Sequence, residues 1–269
     1  LYFNGSVKER RQSMNKESVI SEIRKDYEKS RSGILLLSLS CALMCLGLLG
    51  IAIYPEYTGI GVAVFAVGAA LLFLSVFTDR HSAKKADTLY VENFVIPEIA
   101  KHLNGVKSEK FAFNREYISK TGFFNNLQWT DVDGRRTFSG YLRDCEITFC
   151  DLGVYNLLNV SKGKHAKSDT EKDYVFRGRF FDIKTDLDEK TAAEIITKAE
   201  RYDLCGEGSV RAEYKPGHLY ILHNVAAGDI LSKDWLSFPF EDKATEEPEI
   251  SEAVKQDIEP YMTMIKYLF

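Results

Sequence analysis

From Gly33 to Phe77 the chain is apolar and carries almost no charge, whereas both flanks mix apolar residues with Lys, Glu and Asp. A hydrocarbon core about 30 Å thick needs roughly 20 apolar residues of helix to cross it. Ile34 to Tyr54 supplies one such length and Gly59 to Phe77 a second. PEYTG lies between them, and its Pro55, Glu56 and Gly59 are turn residues rather than helix continuations. One unbroken helix would overshoot a bilayer and bury Pro55 in mid-span. A soluble buried hairpin would normally show a polar stripe, and this run shows none. The pattern therefore predicts a transmembrane hairpin over 34–77, with spans 34–54 and 59–77. It is not a cleavable signal peptide, because the second span follows at once without a small-residue cleavage site.

The flanks give the hairpin a direction. Arg24, Lys25, Lys29 and Arg31 precede the first span, Arg80, Lys84 and Lys85 follow the second, and the connecting turn has no basic residue. The positive-inside rule puts both ends in the cytoplasm. Neither span carries a charge at its centre, so the hairpin reads as an anchor rather than an ion pathway. Small residues at Gly59…Ala63 and Ala66…Ala70 are expected to pack the hairpin on itself, or to support a homo-oligomer.

Upstream, Val19, Ile20, Ile23 and Tyr27 recur at helical spacing among charges, which predicts an amphipathic helix within 14–33 that runs into the first span. LYFNGS at the start resembles the remnant of a protease-cleavable tag, so residues 1–13 are set aside and Met14 is the expected native start.

Beyond the membrane, Ala83 to Leu103 reads as helix, bent or restarted at Pro97 and ended at Asn104-Gly105. Short β-like runs follow at 127–132, 137–142, 145–152, 174–181, 210–214 and 218–224. Asp133-Gly134 and Pro216-Gly217 are read as hairpin turns, and Arg143-Asp144 as a further turn. A helix over 189–202 interrupts the strands. Ser161 to Asp173 reads as a polar loop. Residues 78–240 thus form a cytoplasmic antiparallel-sheet domain with flanking helices, followed over 241–269 by an acidic linker and a C-terminal helix. The fold class is α+β.

Charge and cysteines add little chemistry. Residues 1–33 carry eight basic against five acidic residues, while 78–269 carry 27 against 33. No basic face calls for nucleic acid; the basic excess beside the first span suits an anionic lipid bilayer. Five cysteines without CxxC spacing read as reduced thiols. No Walker loop, GxGxxG, GxSxG or HExxH is present, and no metal or cofactor is expected.

Within the sheet domain, SGYLRDCEITFCDLGVYN (139–156) and YVFRGRFFDIKTD (174–186) carry a motif: Gly140, Ile147 and Phe149, then Phe176, Gly178, Phe180 and Phe181. It resembles the bacterial membrane family catalogued as domain of unknown function 3137. The resemblance implies an inner-membrane location and a LemA-like membrane protein as candidate partner, and it brings no catalytic residues. Arg177 and Arg179 could form an anion or headgroup clamp, although arginines on a strand face are more often solvated. Asp144, Glu146 and Asp151 have no nucleophile or base at recognisable spacing, so they are not read as catalytic. His218 and His223, five apart, should point to opposite faces of a strand. The sequence therefore points to a membrane-anchored interaction or scaffold module. A membrane-tethered enzyme or small-ligand sensor is the alternative, and an oligomeric pore ranks last.

Overall fold

In the computed structural model, residues 16–134, 136–160, 169–204, 209–224 and 247–269 are described. The 1–13 segment and the 161–168 part of the polar loop lie outside them. Two compact units make up the chain: residues 1–93 with 238–250, and residues 94–237 with 251–269.

The first unit is built on two long antiparallel helices, α1 (Lys16–Ile53) and α2 (Thr58–Tyr90), joined by a single turn of tighter helix at Pro55–Tyr57. Within them, Leu35–Ile53 and Thr58–Val76 are each long and apolar enough to cross a membrane. Glycines set how closely the helices approach. A methyl on Gly47 would meet the Phe65 backbone nitrogen at 2.7 Å and the Gly61 carbonyl at 2.8 Å; one on Gly68 would meet Met44 Cγ at 2.8 Å. Gly59, Ala63, Ala66 and Ala70 are exposed instead. The close contact is therefore made by Gly47, Gly61 and Gly68, not by the pairs read from spacing. Buried Ser40 and Ser75 return their hydroxyl protons to the carbonyls of Leu36 and Leu72. Beyond these apolar segments, Lys85 clasps Glu22 at 2.7 Å and Asp26 at 3.0 Å.

Pro97 explains how the helical run ends. A proline interferes with the carbonyl four residues back. Here the helix widens through one π-type turn at Val91–Val95, and α3 (Ile96–Ile99) takes Pro97 near its start. Asn104-Gly105 opens a strand rather than closing a helix.

The second unit is an antiparallel seven-stranded sheet. Its strands are β1 (Asn104–Lys110), β2 (Asp131–Asp133), β3 (Arg136–Leu142), β4 (Cys145–Val160), β5 (Asp169–Lys184), β6 (Ser209–Lys215) and β7 (His218–Asn224). Their order is β1-β3-β4-β5-β7-β6, with β2 also paired to β4. The β6–β7 hairpin turns at Pro216-Gly217, where Gly217 has φ 84°. Asp133-Gly134 is not a hairpin turn: β2 and β3 lie one after the other along the same partner, β4. The 127–132 run contributes only its last residues to β2, because Thr130 satisfies β4 partly through its hydroxyl, which accepts from the Leu157 amide.

Helices cover both faces of the sheet. On one side, α4 (Arg115–Thr121) and its flanks bring Phe113, Ile118, Phe123 and Phe124 onto Cys150, Leu152, Val154, Phe176, Phe180, Tyr220 and Leu222. On the other, Phe138, Phe149 and Phe181 stack across three strands and end on Tyr261 of α6 (Glu247–Leu268), with centroids 5.4–5.7 Å apart. α6 begins inside the stretch read as linker and continues through Pro260. α5 (Glu189–Glu200), capped by the Asp188 carboxylate, buries Ala192, Ile195 and Ala199.

Candidate functional site

Alternation along β5 decides which polar residues meet. Phe176, Gly178, Phe180 and Asp182 share the face covered by α4, while Arg179, Phe181 and Ile183 share the face covered by α6. One carboxylate and one guanidinium are thus buried on opposite faces of the same strand, where each needs partners.

Asp182 is 3% exposed. Tyr117 of α4 donates its phenolic proton to one carboxylate oxygen, and His218 Nδ1 stands 2.8 Å from the other. Local structure places both partners. Asn114 caps α4 by accepting from the Tyr117 amide, and Gly122 closes it at φ 92°. His218 opens β7 opposite Lys184, two pairs beyond Asp182↔Tyr220, and its ring stacks on Tyr220 at 5.6 Å. Burial, and then the bond to Asp182, hold the Tyr117 phenol well above the ordinary tyrosine range. Burial raises Tyr220 as well. Asp182 can accept a proton from His218 Nδ1, and in that tautomer Nε2 is the ring's acceptor. His218 keeps 31% of its side chain exposed, against 4% for Asp182.

On the other face Arg179 is 8% exposed. Its Nη1 donates to the Asp257 carbonyl at 2.7 Å, and its guanidinium lies 4.1 Å from the Tyr261 ring centroid. The Asp151 and Asp257 carboxylates stand 3.7 and 3.8 Å away. Tyr261 Oη in turn lies 2.8 Å from His223 Nδ1. Burial pushes the Tyr261 phenol up to about 12. This group fastens α6 to the sheet.

The residues read from the sequence are spread over both faces. Arg179 is buried rather than solvated. Arg177 is half-buried, with its guanidinium 3.6 Å over Tyr174, so the two arginines serve different rings. Glu146 pairs with Lys184 at 2.9 Å and Asp151 faces Arg179. His218 and His223 occupy opposite faces and bond different residues. Gly140, Ile147, Phe149, Phe176, Gly178, Phe180 and Phe181 are packing positions. A methyl on Gly178 would stand 2.0 Å from the His223 carbonyl, and one on Gly140 2.9 Å from Leu103 Cβ.

Sequence reasoning missed Tyr117, Asp182 and Tyr261. The signal for Asp182 was present: it continues the inward series Phe176, Gly178, Phe180, where a carboxylate is out of place without a partner. Among the described residues, no group of three or more His, Cys, Asp or Glu could hold a metal ion, and Cys41, Cys45, Cys145 and Cys150 are free thiols. No family model, no curated protein and no solved structure matches this chain.

Proposed function

We propose that this chain is an integral membrane protein of the bacterial inner membrane. α1 and α2 cross the bilayer twice, both ends of the chain lie in the cytoplasm, and the sheet unit acts as an interaction or scaffold module. One observation carries the reading. Only 11% and 17% of the residues in the two apolar segments are buried, with Leu35 and Phe73 more than 70% exposed. A core helix of a soluble protein hides such a surface, whereas lipid is the solvent that accepts it on all outward faces. The basic residues flanking both spans, and their absence from Pro55–Gly59, support the cytoplasmic placement of the termini. Both faces of the sheet are already covered by the chain's own helices, which suits a module that works through its surface. A LemA-like membrane protein is the proposed partner.

Alkaline carbonate extraction of membranes expressing the full chain, with reporters fused after Phe269 or inserted at Glu56, tests the placement. The protein should stay in the pellet, with the Phe269 reporter cytoplasmic and the Glu56 reporter outside. Release into the supernatant, or an external Phe269, overturns it. Mild-detergent purification should then bring down a stoichiometric membrane partner, and deletion of the sheet unit should lose it.

The Tyr117–Asp182–His218 group favours a second reading, a membrane-tethered sensor or enzyme that uses His218 Nε2. Under that reading His218→Gln abolishes stabilisation of the protein by a metabolite found in a thermal-shift screen; under the scaffold reading no metabolite stabilises it.

A further inference from the structure

β1 closes one end of the sheet. Among the described residues its one strand partner is β3, so the backbone along its other side is an open edge. After a bulge between Asn104 and Lys107, residues Lys107 to Lys110 pair in regular register with Ser139 to Arg136. An open edge accepts a further strand unless its side chains discourage one, and lysines usually serve that purpose. Here the charges are mixed. Lys107 and Glu109 are two apart and therefore share a face. Both are exposed, and neither forms an ion pair among the described residues. Ser108, between them, lies on the other face opposite Phe138. Its Oγ is shielded from solvent and has no hydrogen-bond partner among the described residues, which is costly for a hydroxyl.

We propose that β1 is a self-pairing edge: β1 of a second copy adds to it antiparallel, about a two-fold axis at Ser108. The occupant follows from charge and register. Antiparallel pairing centred on Ser108 sets Lys107 of each copy opposite Glu109 of the other, on the same face. Centring it half a step along, between Ser108 and Glu109, sets Lys107 opposite Lys110, and like charges directly opposed are destabilising. The run KSEK therefore selects one register. That register also brings the two Ser108 side chains opposite each other, and hydroxyls facing across paired strands bond one another. The shielded Oγ gains the partner it lacks within one copy. An unrelated strand needs its own Glu-x-Lys in place, whereas a second copy supplies it by symmetry, as an isologous contact requires. The regular edge is short, so the dimer is a weak, reversible one. The inference concerns the sheet unit alone and does not rest on the membrane reading.

The test mixes light and heavy-isotope-labelled full chain in mild detergent and adds a zero-length carbodiimide, which joins an amine to a carboxylate only where the two already touch. Mass spectrometry should find Lys107 joined to Glu109 in peptides that combine one light and one heavy copy. In sedimentation, Lys107→Glu should weaken the dimer about tenfold, because two attractive pairs become two repulsive ones. Lys107→Glu/Glu109→Lys should restore it. Light–heavy links that never join Lys107 to Glu109 overturn the proposal, and they decide it even where a variant does not fold. A dimer that keeps its population in Lys107→Glu also overturns it and assigns association to another surface. So does a folded double variant that fails to recover the dimer. Lys107 linked instead to a co-purifying protein overturns self-pairing and gives the edge to that partner. A chain that stays in solution without detergent refutes the spanning helices; the same measurement is then read in buffer, so the two readings fail separately.

Discussion

Replacing Arg179 by alanine removes several contacts at once. Its Nη1 gives a charge-assisted hydrogen bond to the Asp257 carbonyl, worth about 1.5–3 kcal/mol when buried. The desolvated ring contact with Tyr261 adds about 1–2 kcal/mol. Asp151, with 29% of its side chain exposed, regains water and returns part of that loss. The expected cost is therefore about 3 kcal/mol, placed on the attachment of α6 rather than spread over the sheet. Hydrogen exchange on the purified full chain reads it directly. Amides of 251–268 should exchange on the order of a hundredfold faster, while β7 amides change far less. Arg179→Lys keeps the charge but loses the planar fork, and should fall between alanine and the parent. Exchange of α6 within about threefold of the parent, in a protein that is still folded, refutes the clamp and leaves α6 held by apolar burial alone.

Alkaline pH should unfold the second unit through its tyrosines. Burial, the leading cause in each case, raises Tyr117, Tyr174, Tyr220 and Tyr261 above the unfolded tyrosine value. Their contribution is complete below about pH 10, where the unfolded phenols are still neutral, and declines as pH rises towards and through the folded values. Phenolate absorbance should then appear together with loss of structure, and Tyr117→Phe with Tyr261→Phe should flatten the decline; phenols that titrate near 10 in the folded chain contradict this. Gly178→Ala should cost about 3 kcal/mol in chemical denaturation, because the new methyl would press on the His223 carbonyl, which cannot swing aside. In the hairpin, Gly61→Ala should cost about 1–3 kcal/mol, since its methyl would stand 2.5 Å from Ile51 Cγ1. Gly59→Ala, which meets nothing within 4 Å, should be neutral; equal thermal melts of the two variants in detergent contradict the packing.

Legibility in the sequence followed the range of the signal. The apolar run and the turn residue Pro55 are local, and they led to the two helices, whereas Gly59, read as a turn residue, lies in the first turn of α2. The β7 strand over 218–224 and its turn at Pro216-Gly217 are equally local, and they agree with the structure. β1 was missed because NGVKSEK is an exposed edge with no alternation to detect. α4 was missed because seven residues give little periodicity, although Asn114 and Gly122 cap it as expected of a helix. The Asp133-Gly134 misreading has a different source: turn residues record a break in a strand, not whether the chain reverses. Which side of α1 would meet α2 depended on register, so exposed Gly59 and buried Gly61 could not be told apart from spacing alone. The partners of Asp182 lie 65 residues upstream and 36 downstream, beyond the reach of any motif.

The two buried polar residues of β5 are met by the same device. Tyr117 of α4 bonds Asp182 on one face; Tyr261 of α6 stacks on Arg179 and bonds His223 on the other. Each covering element already has apolar contacts enough to bury it, so the tyrosine bonds add direction: an apolar helix can slide over an apolar sheet, but a phenol bonded to a fixed polar group resists that slide. Buried polar groups of this kind contribute more to a single arrangement than to free energy. Tyr117→Phe combined with Asp182→Leu removes the bond and both desolvated groups together, leaving His218 free to turn to solvent. Denaturant stability should therefore stay within about 1 kcal/mol of the parent or rise, while amide resonances of 115–121 broaden or double as α4 samples more than one seat. A loss of more than about 3 kcal/mol with sharp, single resonances would show that the bond supplies stability and not register.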